Sequence, residues 1–255
     1  MFSKEIKQSI IELSNVHGAH ALKASFEDEG VSDSDLTDLI LLSGDSGLEV
    51  YVKIGGCEAN RDIEKCLRLG ISGLVAPMVE SSFAVSKFIA STESKCRLLS
   101  IETPKKFINI ETLTAVSNVE EILHQHHSNL DGIVVGRSDL SKSMGLQKSN
   151  VNDKEVIENV SRALACAKKY NLKTKMGGTV SNASVPIIQE LFAQSLLDRF
   201  ETRAVIFDLN RVKDVSSSID SALRYEQMLL KKRMTFHSAK SSFYDQRINN
   251  IEGRK

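Results

Sequence analysis

Short aliphatic and β-branched runs alternate with longer amphipathic stretches along most of the chain, and that rhythm limits the fold more than any single motif. The runs are AHALKASFE (19–27), EVYVKIG (49–55), GLVAPM (73–78), RLLSIET (97–103), GIVVGR (132–137), LKTKMGG (172–178) and FETRAVIFD (200–208). Between them lie helical patterns such as ANRDIEKCLRLG and DKEVIENVSRALACAKKY; in the latter Val156, Val160, Ala163 and Ala167 recur at three- and four-residue steps and share one face. Repeated strand-plus-helix units predict a parallel sheet covered by helices.

Two architectures fit that pattern. An open doubly wound sheet is disfavoured, because no glycine-rich dinucleotide turn follows the first strand. The chain is therefore read as a single α/β domain over residues 1–255, a (β/α)8 TIM barrel with its core at about 19–208. A long C-terminal helix and polar tail occupy 209–255, expected either to extend over a neighbouring subunit or to be disordered; the closing IEGR matches a protease-tag site, for which chance is enough. Seven strands are readable where a barrel needs eight, and the eighth is expected near LLSGDSG or before Ala19. Asn109 is expected to cap the helix after the fourth strand, and Asn152 or Asp153 the one after the fifth. Pro77, Pro104 and Pro186 fall at strand ends or helix starts, where a missing N–H does little harm.

The totals exclude several classes. The 33 basic and 33 acidic side chains cancel, which argues against a dedicated nucleic-acid or acidic-lipid binder. No apolar run approaches about 18 residues, so no membrane span is expected. The N-terminus lacks the apolar centre of a signal peptide, and the four cysteines form no C-x-x-C pair, as suits free thiols in the cytoplasm. The cluster HQHH (124–127) reads as a solvated helix end, and KKR (231–233) as the cationic end of a helix.

Strands of a parallel sheet are covered on both faces and should be nearly unbroken apolar runs. Here charges recur toward their C-terminal ends: Lys23 with Glu27, Lys53, Glu102, Arg137 with Asp139, Lys175, and Glu201 with Arg203. In a barrel those ends converge on one mouth, where barrel enzymes place their chemistry. Buried charges persist when paired, metal-bound or ligand-bound. Glu102 and Asp139 are the candidate metal pair, for a hard divalent cation such as Mg²⁺, Mn²⁺ or Co²⁺. Lys53, Glu27 and Arg203 are candidate catalytic groups, and Lys23, Lys175 and the Gly55–Gly56 turn join the substrate-binding candidates. The inward lysines Lys23, Lys53 and Lys175 leave a Schiff-base mechanism open.

Three segments carry a resemblance. LLSIETPKKFINIETL is similar to the I-E-T…N signature, DGIVVGRSDLSKSMGL to the D-G-x-x-x-G-x-x-D-L signature, and GISGLVAPMVESSFAVSKFI to the P-M-V segment of the HpcH/HpaI aldolase and citrate lyase beta-subunit family. Order and spacing agree over roughly residues 20–208. The resemblance implies a metal-dependent carbon–carbon lyase that acts through an enolate of pyruvate or a related 2-oxo acid. Metal would sit on Glu102 and Asp139, with substrate near Ser138, Arg137 and Pro77. It also implies an aldehyde partner and a homo-oligomer between dimer and hexamer. Departures accompany it: Lys53 stands where the family's pyruvate aldolases carry arginine, and KASFEDEG offers Glu27 and Glu29 where they carry a histidine. Ser100 stands where the family has a glutamine two residues before the metal glutamate. The K-I-G-G-C-E-A and F-E-T-R segments resemble those of a subgroup of the family, and that resemblance implies a sugar-acid-like substrate. An acyl-CoA lyase and a catalytically inactive binding barrel remain alternatives.

Overall fold

A computed structural model describes residues 4–44 and 46–252, without the side chains of Asp28, His237 and 248–252; Gly253 and Arg254, the end of the IEGR match, lie outside the described residues. Eight strands close into a barrel in sequence order. They are β1 (Ala19–Ser25), β2 (Glu49–Lys53), β3 (Gly73–Ala76), β4 (Lys105–Ile110), β5 (Gly132–Gly136), β6 (Lys173–Gly177), β7 (Arg199–Glu201) and β8 (Val205–Asp208). Helix α1 (Lys4–Asn15) precedes them. The short α2 (Phe26–Glu29) and α3 (Asp33–Gly44) follow β1, α4 (Asn60–Arg68) follows β2, and α5 (Ser82–Leu99) follows β3. Then come α6 (Leu113–His126), α7 (Arg137–Ser143), α8 (Lys154–Lys169), α9 (Val185–Ala193) and the long α10 (Val215–Glu252). Among the described residues no helix is long and apolar enough to cross a membrane.

Two strands differ from expectation, and each difference has a local cause. RLLSIET is not the fourth strand. Arg97–Leu99 continue α5, whose buried face (Val85, Phe88, Ile89, Thr92, Cys96) keeps helical spacing until Ser100 adopts a left-handed φ of 54°. The strand begins after Pro104, at Lys105. Asn109 consequently lies inside β4, and Thr112 caps α6 by accepting from the Ala115 amide at 3.0 Å.

The missing eighth strand lies within FETRAVIFD. Thr202–Ala204 turn the chain back, so β8 runs antiparallel to both β7 and β1. A parallel neighbour needs a crossover of a dozen or more residues, whereas a short turn allows only an antiparallel one. The Asp208 end of β8 therefore lies beside Arg199, and the β7–β8 turn lies beside the C-terminal ends of the other strands.

Period-two alternation divides the barrel interior from its outer face. Ala21, Tyr51, Val75, Phe107, Val134 and Ile206 form a separate buried cluster inside, while the larger core lies between sheet and helices. The aromatic rings fit because their neighbours are small. A Cβ on Gly132 would come within 2.6 Å of the Phe107 ring and 2.1 Å of the Lys173 carbonyl.

Candidate active site

Above the interior cluster, the C-terminal ends of the parallel strands and the β7–β8 turn surround a cavity of about 360 Å³. Its floor is polar. Lys23 and Ser25 come from β1, Lys53 from β2, Asn109 and Glu111 from the end of β4, and Glu201 from β7. The rim adds Ser138 and Asp139 of α7, Thr179 beyond β6, and Arg203 of the β7–β8 turn.

Glu111 is the best-held carboxylate of the group and only 2% exposed. Its Oε1 accepts from the Met78 amide and its Oε2 from the Asn109 amide nitrogen, both at 2.9 Å. Gly136 lets it lie across the end of β5, since a Cβ there would meet Glu111 Oε2 at 2.6 Å. Asp139 opens the next helix, lines the same cavity and pairs with Lys142 at 3.0 Å. Gly177 seats Glu201 in the same way, with a virtual Cβ 2.9 Å from Glu201 Cγ. Glu201 in turn pairs with the Lys23 ammonium.

Lys53 stands between the carboxylates. Its Nζ is 2.8 Å from Glu27 and 3.7 Å from Glu111. Burial alone would push its pKa down; Glu111, then Glu27 and Asp139, outweigh that and hold it above the usual lysine value. Lys53 is therefore a fixed cation near neutral pH.

Several expected site residues lie elsewhere. Glu102 is exposed and precedes β4, at the opposite end of the barrel from Asp139, so the two cannot share an ion. The carboxylate at the mouth is Glu111, from the second of two I-E-T triplets. Arg137 is fully buried and points away from the mouth: its guanidinium donates to the Gly177 and Gly178 carbonyls at 3.1 and 3.0 Å and to Ser184 Oγ at 3.2 Å. It fixes the β6 loop to the start of α7 instead of meeting a ligand.

Lys175 is fully buried within the barrel, its Nζ 3.3 Å from the Phe107 ring centroid and 4.3 Å from that of Tyr51, with no hydrogen-bond partner. It does not line the cavity. Gly55 donates its amide to Asp62 at 2.8 Å, so the Gly55–Gly56 turn is tied to α4, and Pro77 is buried; none of the three borders the cavity. Glu27 reaches the site only through Lys53. Asp139, Lys23, Lys53 and Arg203 of the strand-end pattern line the cavity, as does Ser138, which the family resemblance implied. HQHH ends α6 as expected, with His126 against Ser82 Oγ at 2.9 Å and His127 stacked on Tyr170.

A hard cation suits the oxygens present. Glu111 and Asp139 face one cavity, and the buried Asn109 Oδ1 beside them lacks a hydrogen-bond partner. Among the described residues no group of three or more His, Cys, Asp and Glu side chains forms a complete cage. Two carboxylates and an amide oxygen leave positions open to water and substrate, as Mg²⁺ sites commonly do.

Residues 30–182, more than half of the sequence, match the HpcH/HpaI aldolase/citrate lyase family. The chain belongs to that family. Membership makes it an aldolase or lyase by class, in agreement with the resemblance carried by its motifs. Solved structures share the fold. A HpcH/HpaI aldolase/citrate lyase family protein from Burkholderia cenocepacia is 17% identical, with 89% of this chain and 90% of that one covered and a TM-score of 0.63. A HpcH/HpaI aldolase from Desulfitobacterium hafniense is 13% identical over 79% and 82%, with a TM-score of 0.62. Macrophomate synthase is 17% identical over 72% and 71%, with a TM-score of 0.56. No curated protein matches the chain by sequence.

Proposed function

We propose that this family member is a divalent-metal-dependent aldolase that makes or breaks a carbon–carbon bond next to a 2-oxo acid such as pyruvate. The observation that carries the reading is the pair Glu111 and Asp139, on consecutive βα units and facing one cavity beside the orphaned Asn109 oxygen. A divalent cation held there would act as a Lewis acid toward the keto oxygen and the enolate.

The protein groups divide the remaining work. Ser138 and Thr179, whose hydroxyls are 2.8 Å apart, would receive the substrate carboxylate at the rim. Lys53 would hold positive charge beside the enolate oxygen, with Glu27 orienting the ammonium from outside the cavity. The Met78 amide and Asn109 hold Glu111 in place, so little reorganisation is needed as charge develops. Arg203, on the far side of the mouth, suits an anionic group on the aldehyde half, as a sugar-acid-like partner would carry.

A Schiff-base mechanism is less well supported. Its lysine must be neutral and reachable. Lys53 is reachable but held protonated, Lys23 is bound to Glu201, and Lys175 is sealed beneath the cavity. Assembly into a homo-oligomer is part of the proposal, because the second half of α10 exposes Met234, Phe236, Phe243 and Tyr244.

Deuterium exchange into the methyl group of pyruvate tests the reading. Exchange that needs Mg²⁺, stops with chelator and returns with metal supports it. Trapping of the protein by pyruvate and borohydride in the presence of chelator would replace it with the imine mechanism.

A further inference from the structure

Aldol chemistry also needs a group that exchanges a proton with the oxygen of the electrophile, and the charged side chains around the mouth are unequally committed. Glu111 accepts two hydrogen bonds, Asp139 pairs with Lys142, Glu201 with Lys23, and Glu29 with Arg203 at 3.4 Å. Glu226 of α10 lines the same cavity with no hydrogen bond or ion pair of its own among the described residues. No histidine lines the cavity among the described residues.

Its position matches that need. Glu111 and Asp139 occupy the β4–β5 arc, whereas Glu226 lies with Lys23, Glu29 and Arg203 on the β7–β8–β1 side. Those four residues also border a second cavity of about 380 Å³ between α3 and α10, walled by Val31, Leu39 and Leu229. A two-part substrate held at Glu111 and Asp139 would present its second half to this junction.

We propose that Glu226 is the acid–base group for the electrophile, a role that rests on the enolate reading above. In condensation, the enolate carbon bonds to the aldehyde carbon, the carbonyl π pair moves to oxygen, and the Glu226 carboxyl protonates that oxygen. In cleavage, its carboxylate takes the hydroxyl proton as the carbon–carbon pair returns to the enolate. Protons and electrons balance without any further reactant.

The surroundings favour a proton-bearing Glu226. Burial raises its pKa above the usual carboxylate value; Arg203 pulls it back and Glu29 adds to the rise. The other charged groups facing it are Lys23 and Glu201 from the barrel floor and Asp35 of α3, the last paired with Arg233 at 3.2 Å.

The test compares the unaltered protein with Glu226→Gln and Glu226→Asp, with Mg²⁺ and pyruvate. Methyl-proton exchange and condensation with glyoxylate, glycolaldehyde and butanal are followed by NMR. We expect Glu226→Gln to keep exchange within about threefold while condensation falls by roughly 10² or more, with Glu226→Asp in between. The ratio of condensation to exchange should fall as pH rises through the Glu226 pKa in the unaltered protein and stay flat in Glu226→Gln. Undiminished condensation in Glu226→Gln, equal loss of both reactions, or exchange without condensation in the unaltered protein overturns the assignment. Absence of exchange in the unaltered protein instead removes the enolate reading itself, and this role with it.

Discussion

At the N-terminal end of the strands, Glu49 accepts two bonds from Lys105, at 2.7 and 2.9 Å, and lies 3.6 Å from His20. Arg199 and Asp208 face each other there at 3.6 Å. At the C-terminal end, Lys23, Lys53, Glu111, Asp139 and Glu201 surround an open cavity, and the buried oxygens Asn109 Oδ1 and Glu201 Oε2 have no hydrogen-bond partner. The same alternation of inward side chains thus gives a closed, ion-paired plug at one end, where a nitrogen, Arg199 Nε, is the buried atom left without a hydrogen-bond partner, and carboxylate and amide oxygens left over around a void at the other. Inward charge alone does not mark a site; inward charge with oxygen atoms left over does. His20 belongs to the plug, since burial, then Arg199 and Lys105, push its pKa down to about 4 despite Glu49, leaving it neutral at pH 7.

The sharpest way to break this contrast is to change one carboxylate at each end. Glu111→Gln should lower metal-dependent exchange by about 10²-fold or more, because it removes a proposed ligand where even an outer-layer change typically costs 10–100-fold. Retained exchange would place the metal elsewhere.

Next in size is Arg137→Leu. It strips donors from the Gly177 and Gly178 carbonyls and should cost about 3 kcal/mol in denaturant melts, from two or more acceptors left buried without partners. A loss under about 1 kcal/mol would mean that water replaces the guanidinium.

Lys175, between the two ends, should act in the opposite direction. Burial, as the largest influence, drives its pKa well below the ordinary lysine value. The unfolded chain therefore binds more protons than the native state until pH reaches about 10.4, and stability should rise with pH across that window. Lys175→Met should flatten this slope and raise stability at neutral pH by about 1–4 kcal/mol, as replacement of buried ionic groups has done elsewhere. A destabilised variant with an unchanged pH slope would count against an isolated interior amine.

The smallest effect is expected for Glu49→Gln. It should leave exchange unchanged and cost about 1 kcal/mol or less, as a part-exposed ion pair does.

The strand–helix rhythm and period-two charge pattern made the barrel and its charged mouth legible; Lys23, Lys53, Asp139 and Arg203 follow from them, and Ser138 from the family resemblance. Strand polarity is what the sequence conceals. RLLSIET and KKFINIET both offer an apolar run ending in I-E-T, and only tertiary packing assigns the first to α5 and a loop. Glu102 thereby falls at the wrong end and Glu111 at the right one. The available signals were Pro104 at the boundary and Thr112 as a helix cap directly after Glu111. Arg137 and Lys175 show a different limit: alternation puts Lys175 inside without revealing that aromatic rings seal it from the cavity. Glu226 lies on α10, well beyond the last strand, at a distance that local periodicity does not interpret.

The position of the divalent ion is tested most directly by Mn²⁺ titration followed by EPR. One site per chain is expected, weakened at least about tenfold by Glu111→Gln and by Asp139→Asn and unaffected by Glu102→Gln. Binding that survives both changes at the mouth, or that is lost with Glu102, would contradict it.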